Sequence, residues 1–475
     1  MNSSKRREHN PVVRIALVPL YVDYYENVVS GVRRSKERLL AKTLATIGPG
    51  HEVLRCDYVS DVRTAITARN WIREKRPDCL VVLPLVATFS ALSDQVVKGW
   101  KGPLVLLSAM AGTSVPRPLT MTKVVGESQA FGAQALANGW MRSGRDFHSV
   151  HLIPGSRSGE SGLRSLLEVI AASEELSRLR IGMIGTPFSG MTDIELPAKE
   201  FHTRTGAQIV RIAMKRIHKA MRDVPKAELT ILSKTLAARF RVGQFSALEK
   251  EFSFRAALAI QKIVKDEKLA CGAFNSHGKD GLKNRNLGLM CSLGVSLATS
   301  GGCPVSEVGD LCTAFAMWLG RRLSGASFYT ELDSAHISNH DWLLLNSGEF
   351  DLAWVRKGFR LKLGRNTNFR GVNGRGASVC APLRIGPATM INFTPTPKAD
   401  HPYRIQFCEG TIRTNWCPEL GVGNAFFRAG EDAHAIYERW LAAGPVHHSA
   451  TCPGRLGNLL TLFCKLQGWS CLQIS

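Results

Sequence analysis

The chain has no cysteine pair spaced as CxxC, no apolar run long enough to cross a membrane, no signal-peptide core at its start, no internal repeat, and no acidic residue between Leu352 and Ala399. Twelve cysteines without paired spacing, several of them in apolar segments (Cys291, Cys312, Cys464), are expected to be reduced thiols packing as small hydrophobes. The most apolar run, Cys79 to Leu92, falls short of the roughly 20 residues a spanning helix needs and is broken by Pro84 and Ser90, so it reads as a buried strand. Residues 1–11 are polar and basic and pass directly into the strand-like Val12-Val13-Arg14-Ile15-Ala16-Leu17-Val18, which gives export no support and makes a cytoplasmic location the expectation. A membrane partner is not expected either.

What is present is the composition of a folded protein. At 44% hydrophobic and 21% charged residues the chain is unlike a disordered one, and 475 residues suit two or three cores rather than one. The net charge of +22 raises nucleic-acid binding, because clustered Lys and Arg bind phosphates by releasing counterions. Here the basic residues run along the whole chain, without an obvious aromatic-interleaved surface, which argues against nucleic acid as the main partner. One stretch is locally biased, carrying Arg356, Lys357, Arg360, Lys362, Arg365, Arg370 and Arg375 with no acid among them. A solvated or inter-subunit loop and an anion contact both fit it.

Apolar runs near residues 12–19, 52–58, 79–86 and 103–109 alternate with amphipathic stretches, the pattern of a parallel sheet covered by helices. The pattern restarts after Gly144 with Val150-His151-Leu152-Ile153, a helix near 160–174 and Ile181-Gly182-Met183-Ile184-Gly185. From about Phe350 the texture turns to short β-like runs with frequent Gly and Pro, with helical patterning back only at 432–441 and 456–466. The expected fold is α/β: two Rossmann-like doubly wound domains over 1–145 and 146–325, then a C-terminal antiparallel barrel-like domain with flanking helices over 326–475. Two loops lie where ligands gather, at the carboxyl ends of strands. One is Gly185 to Met191, which is neither a dinucleotide fingerprint nor a Walker loop and equally suits a plain strand-to-helix turn. The other runs from Asn275 to Asp280, and its Asn275 and His277 are candidate hydroxyl binders.

Three residues carry the chemical argument. Glu307 lies in Ser306-Glu307-Val308-Gly309-Asp310, at the start of an expected amphipathic helix with apolar positions Val308, Leu311, Cys312, Phe315 and Leu319, with Ser306 expected as N-cap and Glu307 in the first helical turn. Alone, such an acid is explained by the helix dipole. The strand-like Ser327-Phe328-Tyr329-Thr330 then delivers Glu331, and His447-His448 follow near the C-terminus. Two carboxylates and a neutral imidazole can hold a divalent metal while a carboxylate moves a proton.

These segments resemble the L-fucose isomerase family, within the L-fucose and L-arabinose isomerases. The acidic cluster opening a helix with Ala314, Ala316 and Met317, the second acid Glu331, the turn Asn346-Ser347-Gly348, and the segment from His447-His448 to Gly454-Arg455-Leu456-Gly457 follow the family's order. Two departures stand out: Glu307-Val308-Gly309-Asp310 is one residue longer than the family's E-x-D, and Glu331 replaces the Asp of fucose isomerases, as in arabinose isomerases. The longer cluster leaves open whether Glu307 or Asp310 faces the metal. The resemblance implies a Mn²⁺-dependent aldose–ketose isomerase working through an enediol, with Glu307 and Glu331 catalytic and, together with His448, metal-binding. Asn275, His277 and Asn346 would contact a monosaccharide, and the chain would assemble as a homo-oligomer, a trimer or hexamer. Its rivals are a non-catalytic sugar-binding or regulatory relative and a nucleic-acid binder using Arg356 to Arg375.

Overall fold

The computed structural model describes residues 12–114, 117–275, 291–337, 340–366, 376–430 and 432–474. The chain divides into two compact units, Met1–Glu174 and Glu175–Ser475. Both are α/β, and no helix among the described residues is long and apolar enough to cross a membrane.

The first unit is built on five parallel strands, β1 (Arg14–Leu20), β2 (Glu52–Arg55), β3 (Cys79–Pro84), β4 (Leu104–Ala109) and β5 (His148–Leu152), in the order β2-β1-β3-β4-β5. The run Cys79–Pro84 is buried throughout, as a central parallel strand covered on both faces must be. Helices alternate with the strands, and the one over Val62–Lys75 starts at a capping box in which Asp61 and Thr64 satisfy each other's backbone N–H groups. β5 pairs with β4, so the segment where the sequence pattern restarts belongs to the first sheet rather than opening the next unit.

The second unit contains a parallel sheet of β6 (Arg180–Ile184), β7 (Gln208–Ile212), β9 (Cys271–Phe274) and β10 (Val305–Ser306), ordered β10-β9-β6-β7. A short strand β8 (Arg241–Val242) joins β13 (Lys362–Arg365) and β14 (Ala377–Cys380) in a small separate sheet. The largest sheet holds β11 (Phe328–Ile337), β12 (Asp341–Leu345), β15 (Gly386–Pro395), β16 (Tyr403–Ile412), β17 (Ala425–Arg428), β18 (His448–Pro453) and β19 (Ser470–Gln473). Its order is β15-β18-β11-β12-β17-β16-β19, antiparallel except for β16 with β19, and β15 also pairs with β16 along ten residues of each.

The helix Leu311–Ser324 is buried over all of its first ten residues, which are apolar except for Thr313. Phe315 contacts the rings of Phe201 and Phe393, and Gly320 lies so near Cys452 that a Cβ there would meet its Sγ. This helix therefore ties the largest sheet to the rest of its unit, and it starts at the candidate site.

Candidate functional site

The helix begins one turn later than its sequence suggests. Ser306 ends β10, Glu307 follows it, and the N-cap is Asp310, whose Oδ1 accepts from the Thr313 N–H at 2.8 Å. Between them Val308 and Gly309 both take positive φ, 50° and 79°, while the Asp310 N–H donates to the Glu307 carbonyl at 3.1 Å. The extra residue is thus absorbed in a tight left-handed turn, and a β-branched residue at positive φ is strained. The turn is held from outside: the Phe188 N–H donates to the Val308 carbonyl at 3.0 Å, and the Gly309 N–H to the Phe274 carbonyl at 3.4 Å. Ser306 and Glu307 are therefore corrected from helix cap and first turn to strand end and turn.

Strand register sets the second part of the site. Glu331 lies within β11, not at its end, and stands directly opposite His448 of β18. Directly opposed residues of an antiparallel pair share a face, and His448 Nε2 is 3.8 Å from Glu331 Oε1. The other ring nitrogen, Nδ1, is hydrogen-bonded to Asp310 Oδ2 at 2.8 Å, with both groups buried. An Nδ1–H donated to a carboxylate fixes the tautomer and presents the Nε2 lone pair to the site. Asp310 is thereby occupied on both oxygens, capping the helix and orienting the imidazole. The Tyr329 ring packs 4.8 Å from that imidazole.

His447 packs against His448 with ring centroids 3.7 Å apart and the planes tilted by 46°. Its Nδ1 and its backbone N–H both bond Asp193 Oδ2, at 2.6 and 3.0 Å. Burial works to raise the Asp193 carboxyl, but these hydrogen bonds and the imidazole beside it outweigh burial and hold it below the usual range. Asp193 sits in the 3₁₀ turn Thr192–Ile194 beyond the Gly185 to Met191 loop.

A residue without a sequence signal of its own completes the cluster. Glu349 follows the Asn346-Ser347-Gly348 turn, is 1% exposed, and neither carboxyl oxygen has a hydrogen-bond partner among the described residues. Burial and then Glu307, with Glu331 adding, outweigh the lowering effect of its own backbone N–H and push its carboxyl well above the ordinary range. Glu331, whose side chain is 31% exposed, is raised by burial and by Glu307, with His448 acting the other way. The buried Tyr329 hydroxyl also lacks a partner among the described residues and is raised by burial and by Asp310, Glu331, Glu349 and Glu307. Glu349 could have been anticipated only from its place immediately after that turn.

Of the expected sugar contacts, His277 lies outside the described residues. The Asn346 amide donates to the Tyr329 and Glu349 carbonyls at 2.8 and 3.1 Å and its oxygen accepts from the Gly348 N–H at 2.8 Å, so the side chain shapes the turn. Gly348 is required there, since φ is 127° and a Cβ would meet Asn366 Nδ2 at 2.6 Å. Asn275 is buried and donates to the Thr186 carbonyl at 2.6 Å, bracing the end of β9 against the loop after β6. Both asparagines thus bond backbone carbonyls within the fold. In the basic stretch Arg370 and Arg375 lie outside the described residues, Arg365 pairs with Glu249, and Arg356 donates to the Thr414 carbonyl at 2.8 Å.

The donor chemistry suits a hard divalent ion. Carboxylate oxygens and one imidazole nitrogen are the ligands Mn²⁺ takes, and the raised carboxyls of Glu331 and Glu349 would be relieved by a cation lying beside them. As placed, no three His, Cys, Asp or Glu side chains among the described residues stand close enough together to share an ion. The fit lies in the donor set, not in a closed coordination geometry.

No family model matches the sequence, and no characterised protein does. Among solved structures the chain is similar to an ABC transporter solute-binding protein from Burkholderia multivorans, at 10% identity over 56% of this chain and 81% of that one, TM-score 0.18. A periplasmic solute-binding protein from Actinobacillus succinogenes 130z with bound D-allose is 12% identical over 65% and 91%, TM-score 0.15. A periplasmic ribose ABC transporter structure from Conexibacter woesei is 10% identical over 62% and 78%, TM-score 0.16. Likeness at these scores carries no argument about fold or function.

Proposed function

We propose that the second unit carries a metal-dependent aldose–ketose isomerase of the L-fucose and L-arabinose isomerase type, acting on a sugar such as L-fucose, D-arabinose or L-arabinose. The supporting observation is the placement of Glu331 opposite His448 with Asp310 behind the imidazole. Isomerisation of this kind removes a proton from the carbon beside a carbonyl and returns one to the neighbouring carbon through an enediol. A carboxyl raised above its ordinary range exchanges protons closer to neutral pH, so Glu331 serves as the proton-transfer group. Glu307 is the second carboxylate of the pair, and Glu349, raised by burial and by Glu307, borders it at the buried end of the cluster. Glu307, Glu331 and His448 would hold the Mn²⁺, which when bound supplies Lewis-acid polarisation of the sugar oxygens.

On the same reading the strand circuit β15-β18-β11-β12-β17-β16, returning to β15, is a barrel-like domain closing the site, with its boundary near residue 326. Assembly as a trimer or hexamer and a cytoplasmic location complete the proposal. Interconversion of L-fucose, D-arabinose and L-arabinose with their ketoses, assayed with and without MnCl₂, tests it. Mn²⁺-dependent turnover abolished in Glu331→Gln supports the enzyme. Saturable sugar binding without turnover in the native protein points instead to the non-catalytic relative.

A further inference from the structure

In the first unit a cleft of about 310 Å³ opens between the ends of helices Val62–Lys75 and Ser90–Val97. Arg69, Arg73, Arg76 and Lys98 line it together with the Trp100 indole and the apolar Ile72 and Val96, and no acidic side chain is among its walls. Among the described residues none of these four cations makes an ion pair with a carboxylate. Arg69 Nη1 reaches Gln95 Oε1 at 3.4 Å, while its buried Nε has no acceptor among the described residues.

Helix chemistry does not explain this convergence. Basic residues in a last turn oppose the helix dipole, which accounts for Arg73. The end of the second helix is already served by Arg145, whose Nη1 donates to the Val97 carbonyl at 3.1 Å, so Lys98 is not needed there. Four like charges at one cleft repel one another, and a buried guanidinium N–H without an acceptor costs free energy until something accepts it. The indole is held in place by its Nε1 donation to the Pro103 carbonyl at 3.2 Å and by Gly102, where a Cβ would lie 2.7 Å from the ring. A fixed aromatic wall beside clustered guanidinium groups fits an anion joined to an apolar body, and the cleft volume suits a small ligand.

We propose that this cleft is a binding site for a small organic phosphate monoester, its phosphate held by Arg69, Arg73, Arg76 and Lys98 and its apolar part against Trp100. Calorimetric titration of the full chain with phenyl phosphate, inorganic phosphate and phenol at low salt tests it. Phenyl phosphate is expected to bind saturably and more tightly than either alternative, with affinity falling as salt rises. The exposed-residue double variant Arg73→Gln/Lys98→Gln is expected to weaken it about tenfold with unchanged thermal unfolding. Trp100→Phe, which keeps an aromatic wall, retains most of the affinity, and Trp100→Ala loses it for phenyl phosphate while leaving inorganic phosphate little changed. Absence of saturable binding, binding unaffected by the double variant, equal binding of phenol, or binding of an oligonucleotide alone would each overturn the assignment.

Discussion

His448 and Asp310 are 138 residues apart in the chain and joined by a 2.8 Å hydrogen bond from imidazole to carboxylate in the folded protein. The same Asp310 caps the helix that follows it, so one side chain sets both where the helix starts and which nitrogen of His448 faces Glu331. Replacing it separates the two tasks. Asp310→Asn keeps a capping oxygen and is expected to unfold near the native temperature while activity falls about 10–100-fold. Asp310→Ala is expected to lose in addition about 1 kcal/mol of stability. Sugar turnover and thermal unfolding of the two variants provide the check, and equal activity in Asp310→Asn would remove the orienting role.

Glu331→Gln keeps shape and hydrogen-bonding capacity but cannot exchange a proton. Turnover is expected to drop by about 10²–10⁴-fold, with the fold intact by circular dichroism. A small effect confined to KM would identify Glu331 as a binding group only.

Glu349 predicts a pH dependence of stability. Its carboxyl is raised in the folded state, so between the ordinary carboxylate range and the folded pKa the native protein binds more protons than the unfolded one. The native state is therefore destabilised progressively as pH rises through that window, and Glu331, raised in the same direction, adds to the slope. Glu349→Gln is expected to flatten the profile, with a gain on the order of 1–3 kcal/mol at pH 8 and little change at pH 4. Urea unfolding of the metal-free protein at several pH values measures it. An unchanged slope would show that Glu349 does not titrate in that window.

Gly309 tests the turn that absorbs the extra residue. With φ at 79° and a Cβ meeting Pro187 Cα at 2.7 Å, Thr186 O at 3.1 Å and Met183 Cε at 2.9 Å, Gly309→Ala has backbone against it on two sides. A loss of about 2–4 kcal/mol is expected, together with displacement of Glu307 and reduced turnover. Native stability in this variant would mean that the turn relaxes freely.

A divalent ion that binds the acidic cluster stabilises the folded chain. Mn²⁺ at about 100 times its Kd is expected to add roughly 2.7 kcal/mol, more at pH 8 than at pH 5 because the carboxyls must be ionised to ligate. Glu331→Gln and His448→Ala are expected to abolish the shift in melting temperature. Equal shifts in all three proteins would place the ion elsewhere.

Local pattern alone carried much of the first unit. Unbroken apolar runs such as Cys79–Pro84 mark buried parallel strands, and the capping box at Asp61 marks a helix start, because both depend only on neighbouring residues. The candidate acids Glu307 and Glu331 and the imidazole of His448 were also legible as residue types next to elements. Their arrangement was not. Ser306 looked like a cap because a small hydroxyl residue precedes an acid, whereas the left-handed pair Val308 and Gly309 moves the helix start to Asp310. That turn is held by Phe188 and Phe274, which lie far away in sequence.

The sequence by itself determined the alternation of strands and helices, the excess of positive charge and the residue types available for chemistry, since these follow from composition and short-range periodicity. Only the tertiary structure decided that Glu331 faces His448, that Asp310 orients rather than faces the site, and that Glu349 and Tyr329 join the cluster. The physical reason is strand register: a slip of one residue between β11 and β18 would turn Glu331 away from His448, and that register is fixed by packing across the sheet. The raised carboxyls have the same origin, because burial and like-charge proximity exist only once distant segments have come together.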